Sequence, residues 1–98
     1  MTAAVWGATV FLFGAGLAVV VLRRQLLAML LGLELMISAV NISLVYYAGL
    51  FSDAEALAAV LLILAVAAAE AVVGLSLILR VFQSGRAVDS GGLQELRG

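Results

Sequence analysis

No charged side chain occurs in residues 1–22, and only one occurs in each of the two apolar runs that follow, 26–51 and 56–79. Those charges are Glu34 and Glu70. About 20 apolar residues in a helix span a hydrocarbon core of roughly 30 Å, so each run is long enough to cross a bilayer. Apolar residues make up 66% of the chain and charged ones 11%, against roughly 45–50% and about 25% in ordinary globular domains. A soluble fold of 98 residues leaves much of its surface wet, and this chain has too few polar side chains to cover it. The sequence therefore describes an all-α membrane protein with three transmembrane helices.

Polar interruptions set the boundaries. Arg23, Arg24 and Gln25 follow the first run, Ser52-Asp53-Ala54-Glu55 follow the second, and Arg80 ends the third. Expected helices cover about 3–22, 26–51 and 53–80, with a flexible cytoplasmic tail over 81–98. One helix through residue 51 would be about 76 Å long, so the chain must turn at the Arg pair although no Gly or Pro marks it. A cleaved signal peptide would carry its positive charge ahead of the apolar stretch rather than after it. Ser52, with Glu55 three residues on, fits a capping box at the start of the third helix.

Arginine placement orients the spans. Arg23 and Arg24 lie in the first loop and Arg80 and Arg86 follow the third helix, whereas the second loop has no Arg and two acids. The N-terminus is therefore expected outside and the C-terminus in the cytoplasm, with Arg23 and Arg24 as orientation anchors. Trp6, Tyr46 and Tyr47 fall together at the opposite, outer interface, as an aromatic belt does.

Several chemistries are excluded by absence. The chain has no Cys and no His, and its net charge is −1. Thiol redox chemistry, thiolate or imidazole metal sites and a basic field for nucleic acid are all missing. Proline is absent too, which argues against the Pro-broken helices of many transporters. Carboxylates and hydroxyls remain.

Glu34 lies ten residues from Arg24 and Glu70 ten from Arg80, which places both about 15 Å deep, near the midplane. A carboxyl group there costs roughly 2.5–3.5 kcal/mol on insertion scales, while each Leu, Ile, Val or Phe returns only about 0.3–0.6 kcal/mol. A depth-matched pair kept at that cost points to proton relay. The bland alternative is a protonated Glu that hydrogen-bonds a neighbouring helix. Glu34, Ser38 and Asn41, spaced i, i+4 and i+7, share one helix face able to hold water or meet a partner helix. Ala67 and Gly74 near Glu70, and Gly7, Gly14, Gly16 and Gly32, offer surfaces for close backbone approach. Three helices cannot shield two carboxylates from lipid on every side, so partner helices in a larger complex are expected.

The segment Gly32-Leu33-Glu34-Leu35-Met36-Ile37-Ser38-Ala39-Val40-Asn41 resembles the second-helix motif of the subunit K family of proton-pumping NADH:quinone oxidoreductase, respiratory complex I. Ala67-Ala68-Ala69-Glu70-Ala71-Val72-Val73-Gly74-Leu75 is similar to that family's third-helix motif. The likeness covers about residues 20–80. It implies that Glu34 and Glu70 are the family's two intramembrane glutamates, part of a chain of charges linking the quinone site to antiporter-like subunits. It also implies a multi-pass place in the bacterial inner membrane and neighbours among the complex's other membrane subunits. No cofactor or metal is expected on this chain itself, the NADH, flavin, iron–sulfur clusters and quinone lying elsewhere in the complex. Ser38 departs from the family, many members of which have Asn there. Related small subunits of multisubunit cation/proton antiporters and membrane-bound hydrogenases are the alternative, as is a purely structural assembly subunit. A rotor-ring subunit would have two helices and one acid, and a small multidrug exporter four spans with aromatics around its Glu.

Overall fold

The computed structural model describes residues 1–84 and contains three helices, α1 (Thr2–Leu22), α2 (Leu26–Leu50) and α3 (Ala54–Gln83). Each is long and apolar enough to cross a membrane. α2 is the middle element and packs on both α1 and α3. The shape is a slab of about 50 × 24 × 17 Å. Since a helix with its side chains is about 10–12 Å across, a slab that thin leaves both broad faces open.

Small residues form the contacts that hold the slab together. Among the described residues the buried apolar side chains are Ala39, Ala48, Val60, Ala67 and Val81, and no large side chain is fully buried. Gly16 on α1 meets Gly32 on α2 backbone to backbone, so that a methyl added to Gly32 would lie 2.7 Å from the Gly16 carbonyl oxygen. Such contacts let helices approach where lipid offers no hydrophobic drive for association. Gly74 of α3 rides on Leu30 of α2 in a looser version of the same contact. Gly7 and Gly14, expected to offer similar surfaces, meet nothing within 4 Å in this chain.

The turns follow from local chemistry. Between α1 and α2 the backbone is extended at Arg23 (φ −99°, ψ 141°) and Gln25 (φ −69°, ψ 134°), so the Arg pair marks the first reversal. α2 ends with Ser52 at φ 51°, a left-handed conformation that costs an L-residue roughly 1–2 kcal/mol. In return the Ser52 N–H donates to Gly49 O (3.3 Å) and the Asp53 N–H to Ala48 O (2.9 Å), the paired closure of a Schellman turn.

This turn corrects the expected capping box. Ser52 is committed to ending α2, and Asp53 caps α3 instead, its Oδ1 accepting from the backbone N–H of Glu55 (3.0 Å) and Ala56 (3.1 Å). Glu55 in the first turn and Arg80 in the last turn complement the helix dipole. Asp53→Ala should therefore destabilise the start of α3 by about 1 kcal/mol. Hydrogen exchange at the Glu55 and Ala56 amides should rise in that variant, with the middle of α3 unchanged; unaltered exchange would remove Asp53 as the cap.

α3 runs past Arg80, where the sequence suggests its end, to Gln83. Val81 is buried, and Phe82 joins Ile78 and Leu79 around a cavity at the start of α2, so the apolar pattern carries the helix on. The rest of the expected tail, from residue 85, lies outside the described residues.

Candidate functional site

The α2–α3 seam is where the chemistry-bearing side chains gather. Glu34, Ser38 and Asn41 all line one groove of about 700 Å³ between α2 and α3, closed opposite them by Val60, Leu64 and Ala67. The i, i+4, i+7 spacing thus delivers three polar side chains to one opening. Glu34 is half-buried and its Oε1 has no hydrogen-bond partner. Asn41 is 6% exposed, and both its Oδ1 and Nδ2 are buried without partners. Leaving a buried amide unsatisfied costs roughly 1–3 kcal/mol, so an isolated chain bears this as a standing penalty. Ser38 is exposed.

Glu70 belongs to a second, smaller cavity of about 220 Å³, shared with Leu62, Ile63 and Val66. Ile37 and Ala67 line both cavities, so they form the partition between the two carboxylates. Glu70 is exposed, while Ala67 on the same helix is buried and Gly74 half-buried. The small residues therefore face α2 and the acid sits at the edge of that face, open to whatever lies beside α3. The structure brings Glu34 together with Ser38 and Asn41 but does not bring it together with Glu70.

Arg23 and Arg24 are exposed in the α1–α2 turn, apart from both cavities. At the other end of the slab α1 and α2 are laced together by polar contacts. Trp6 Nε1 donates to the Tyr47 hydroxyl (2.8 Å), and Thr2 Oγ1 and the Tyr46 hydroxyl are 2.8 Å apart. Trp6 and Tyr47 pack edge-to-face, as do Tyr46 and Tyr47, and Tyr47 stacks on Phe51. The aromatic residues expected at one interface do share one end of the molecule.

Two features escape a reading by sequence. Tyr46 lines the groove as well as the interface, and Thr9 Oγ1 meets Ser43 Oγ at 2.8 Å across α1 and α2. The signal for the second was available, because a hydroxyl inside an apolar span needs a partner. For Tyr46 the sequence holds no such signal, because twelve residues of helix turn it about 120° away from Glu34.

Comparison with known proteins supplies the family. A family model described as NADH-ubiquinone/plastoquinone oxidoreductase chain 4L matches residues 5–98. Subunit K 2 of NADH-quinone oxidoreductase from Aquifex aeolicus is 42% identical over 93 residues, covering 92% of this chain and 88% of its own. The subunit K proteins of Persephonella marina and Thermus thermophilus are 43% and 40% identical, covering 84% and 93% of this chain and 82% and 95% of their own. With that family model spanning nearly the whole sequence, and with three apolar helices to match it, the chain belongs to the chain 4L family, the subunit K family of NADH-quinone oxidoreductase.

Proposed function

We propose that Glu34 and Glu70 relay protons, or the charge state that drives them, through the membrane arm of a proton-translocating NADH:quinone oxidoreductase. The observation that carries this reading is the placement of two acids in membrane-spanning helices, each in its own cavity along the α2–α3 seam. Acids inside a span are expensive, and face the interior of an assembly or a water-filled space when they serve ion movement. The chain works as one subunit among others, between the quinone-site and antiporter-like subunits. Its exposed apolar faces are available to those neighbours and to lipid.

Redox chemistry belongs elsewhere in the complex. A chain without Cys or His lacks the usual ligands for iron–sulfur clusters, so no cofactor is assigned to it and no catalysis to the isolated subunit. The positive-inside rule places the Arg23–Arg24 turn and the C-terminus in the cytoplasm, and the N-terminus outside. The bacterial relatives suit a multi-pass position in the inner membrane. Arg23 and Arg24 act as topology anchors, while Ser38 and Asn41 support Glu34 from the same helix face.

The test is NADH-driven proton pumping in membrane vesicles carrying Glu34→Gln or Glu70→Gln, with assembled complex quantified in parallel. Lost pumping at normal assembly supports the relay. Normal pumping in both variants would leave the acids a packing role and the subunit a scaffold.

A further inference from the structure

We propose that the cytoplasmic end of the α2–α3 seam binds an anionic phospholipid of the inner leaflet, its acyl chain in a cavity between the helices and its phosphate on Arg23 and Arg24. The cavity, about 410 Å³, joins the start of α2 to the end of α3 and is lined by Gln25, Leu27, Ile78, Leu79 and Phe82. It shares no residue with either of the acid-bearing cavities. Its apolar wall is open sideways: Leu27 is 44% exposed, Leu79 57% and Phe82 68%. The Gln25 side chain makes no capping bond to α2 and lines the cavity instead.

Depth narrows the choice of occupant. α3 is 30 residues long, about 45 Å, against a hydrocarbon core of roughly 30 Å. Counting from Ala54, about 20 residues cross that core, so Ile78, Leu79 and Phe82 lie at or beyond its inner edge. Gln25 and Leu27, at the start of α2, lie at the same level. Acyl chains give way to glycerol and phosphate there. One lipid molecule matches that layering, with an apolar part for the leucines and a polar part for the amide. A partner helix is the rival occupant, but a single helical turn with its side chains fills about 500 Å³, more than the whole cavity.

Charge selects the headgroup. Arg23 and Arg24 directly precede Gln25 and are exposed, and the Arg24 and Gln25 α-carbons are about 3.8 Å apart. Arg80 lies on the opposite side of α3 from Ile78 and Phe82 and adds nothing to this mouth. Among the described residues the nearest acids are Glu34, nine residues from Gln25, and Glu70, eight from Ile78, about 12 Å or more along the helices. Over residues 85–98 the side-chain charges cancel, Arg86 and Arg97 against Asp89 and Glu95. The mouth is therefore positive, and basic pockets between helices on the cytoplasmic side suit anionic headgroups. A guanidinium also meets phosphate in a two-bond fork. Each arginine near an anionic surface favours it about fivefold, and two up to about thirtyfold. The leaflet named here rests on the orientation proposed above; the proton relay plays no part in the argument.

The test uses the complete complex in vesicles containing equal amounts of phosphatidylglycerol and phosphatidylcholine, one of them at a time carrying a photoreactive acyl chain. After illumination, adducts on this subunit are mapped by mass spectrometry. Labelling at Leu27 and at residues 78–82 should be at least fivefold greater with phosphatidylglycerol, and the preference should shrink at high salt. Arg23→Gln combined with Arg24→Gln should bring the two lipids within about twofold of each other. Leu27→Trp, which narrows the cavity, should lower labelling by both. Equal labelling in the unmodified complex, or no adducts at those residues, would overturn the proposal. So would an undiminished preference in the arginine double variant, which would assign the charge to another subunit. Should the double variant fail to assemble, the comparison in the unmodified complex decides. Pumping by Glu34→Gln is a separate measurement, so the relay and the lipid site stand or fall independently.

Discussion

A leucine at position 32 is expected to remove this subunit from its complex. Gly32 and Gly16 are both buried at the point where α1 and α2 come closest. A Cβ on Gly32 would meet the Gly16 carbonyl oxygen at 2.7 Å, Val20 Cγ2 at 2.9 Å and Val19 Cβ at 3.1 Å. Two of those three atoms cannot swing away, being backbone or a β-carbon. Alanine alone should cost roughly 1–3 kcal/mol through overpacking, and leucine must force the helices apart. Separation there would strain the Thr9–Ser43 and Trp6–Tyr47 hydrogen bonds, which depend on the same approach. Immunoblots of the purified complex should show the Gly32→Leu chain depleted and Gly32→Ala reduced. Gly14→Ala is the control, because that position meets nothing within 4 Å in this chain. Wild-type incorporation of Gly32→Leu would show that the glycine contact does not govern assembly.

Glu34→Gln carries the second large effect, on transport rather than assembly. Glutamine keeps the size and most of the hydrogen-bonding capacity of the carboxyl group but cannot release a proton at working pH. Assembly should stay near normal, since the Glu34 carboxyl makes no hydrogen bond through Oε1 to lose. If the proton must pass through this group, the step should slow by about 10²-fold or more, the usual worth of a positioned acid–base group. Combining Glu34→Gln with Ser38→Glu moves the acid one turn, about 6 Å, within the same groove. Partial return of pumping in that double variant would mean the groove needs an acid but not at one fixed depth. No return would tie the function to position 34 itself, and full pumping by Glu34→Gln alone would end the argument for relay at that residue.

The helices were legible because their signals are long-range and redundant. Three long apolar stretches, separated by arginines or acids, leave no other arrangement for the backbone in lipid. Sharing of one face by Glu34, Ser38 and Asn41 was equally legible, since helical periodicity alone dictates it. The separation of Glu34 from Glu70 was not. Matched depth says nothing about rotation around the helix axis, and rotation is set by which small residues, Ala67 and Gly74, turn toward α2. The cap of α3 was misplaced by one residue for a similar reason. Ser52 and Asp53 are both good caps, and the choice between them depends on how α2 ends, which brings in backbone angles that a sequence pattern does not encode.

The Ile37–Ala67 partition has a consequence for energy conservation. A membrane that stores a proton gradient is discharged by any continuous wet passage, so a subunit with two acid-bearing recesses needs insulation somewhere between them. Here that insulation is thin: one branched aliphatic side chain and one methyl group, shared by both cavities. Under the proposed relay, this contact between α2 and α3 is where a leak between the two recesses would uncouple electron transfer from the gradient.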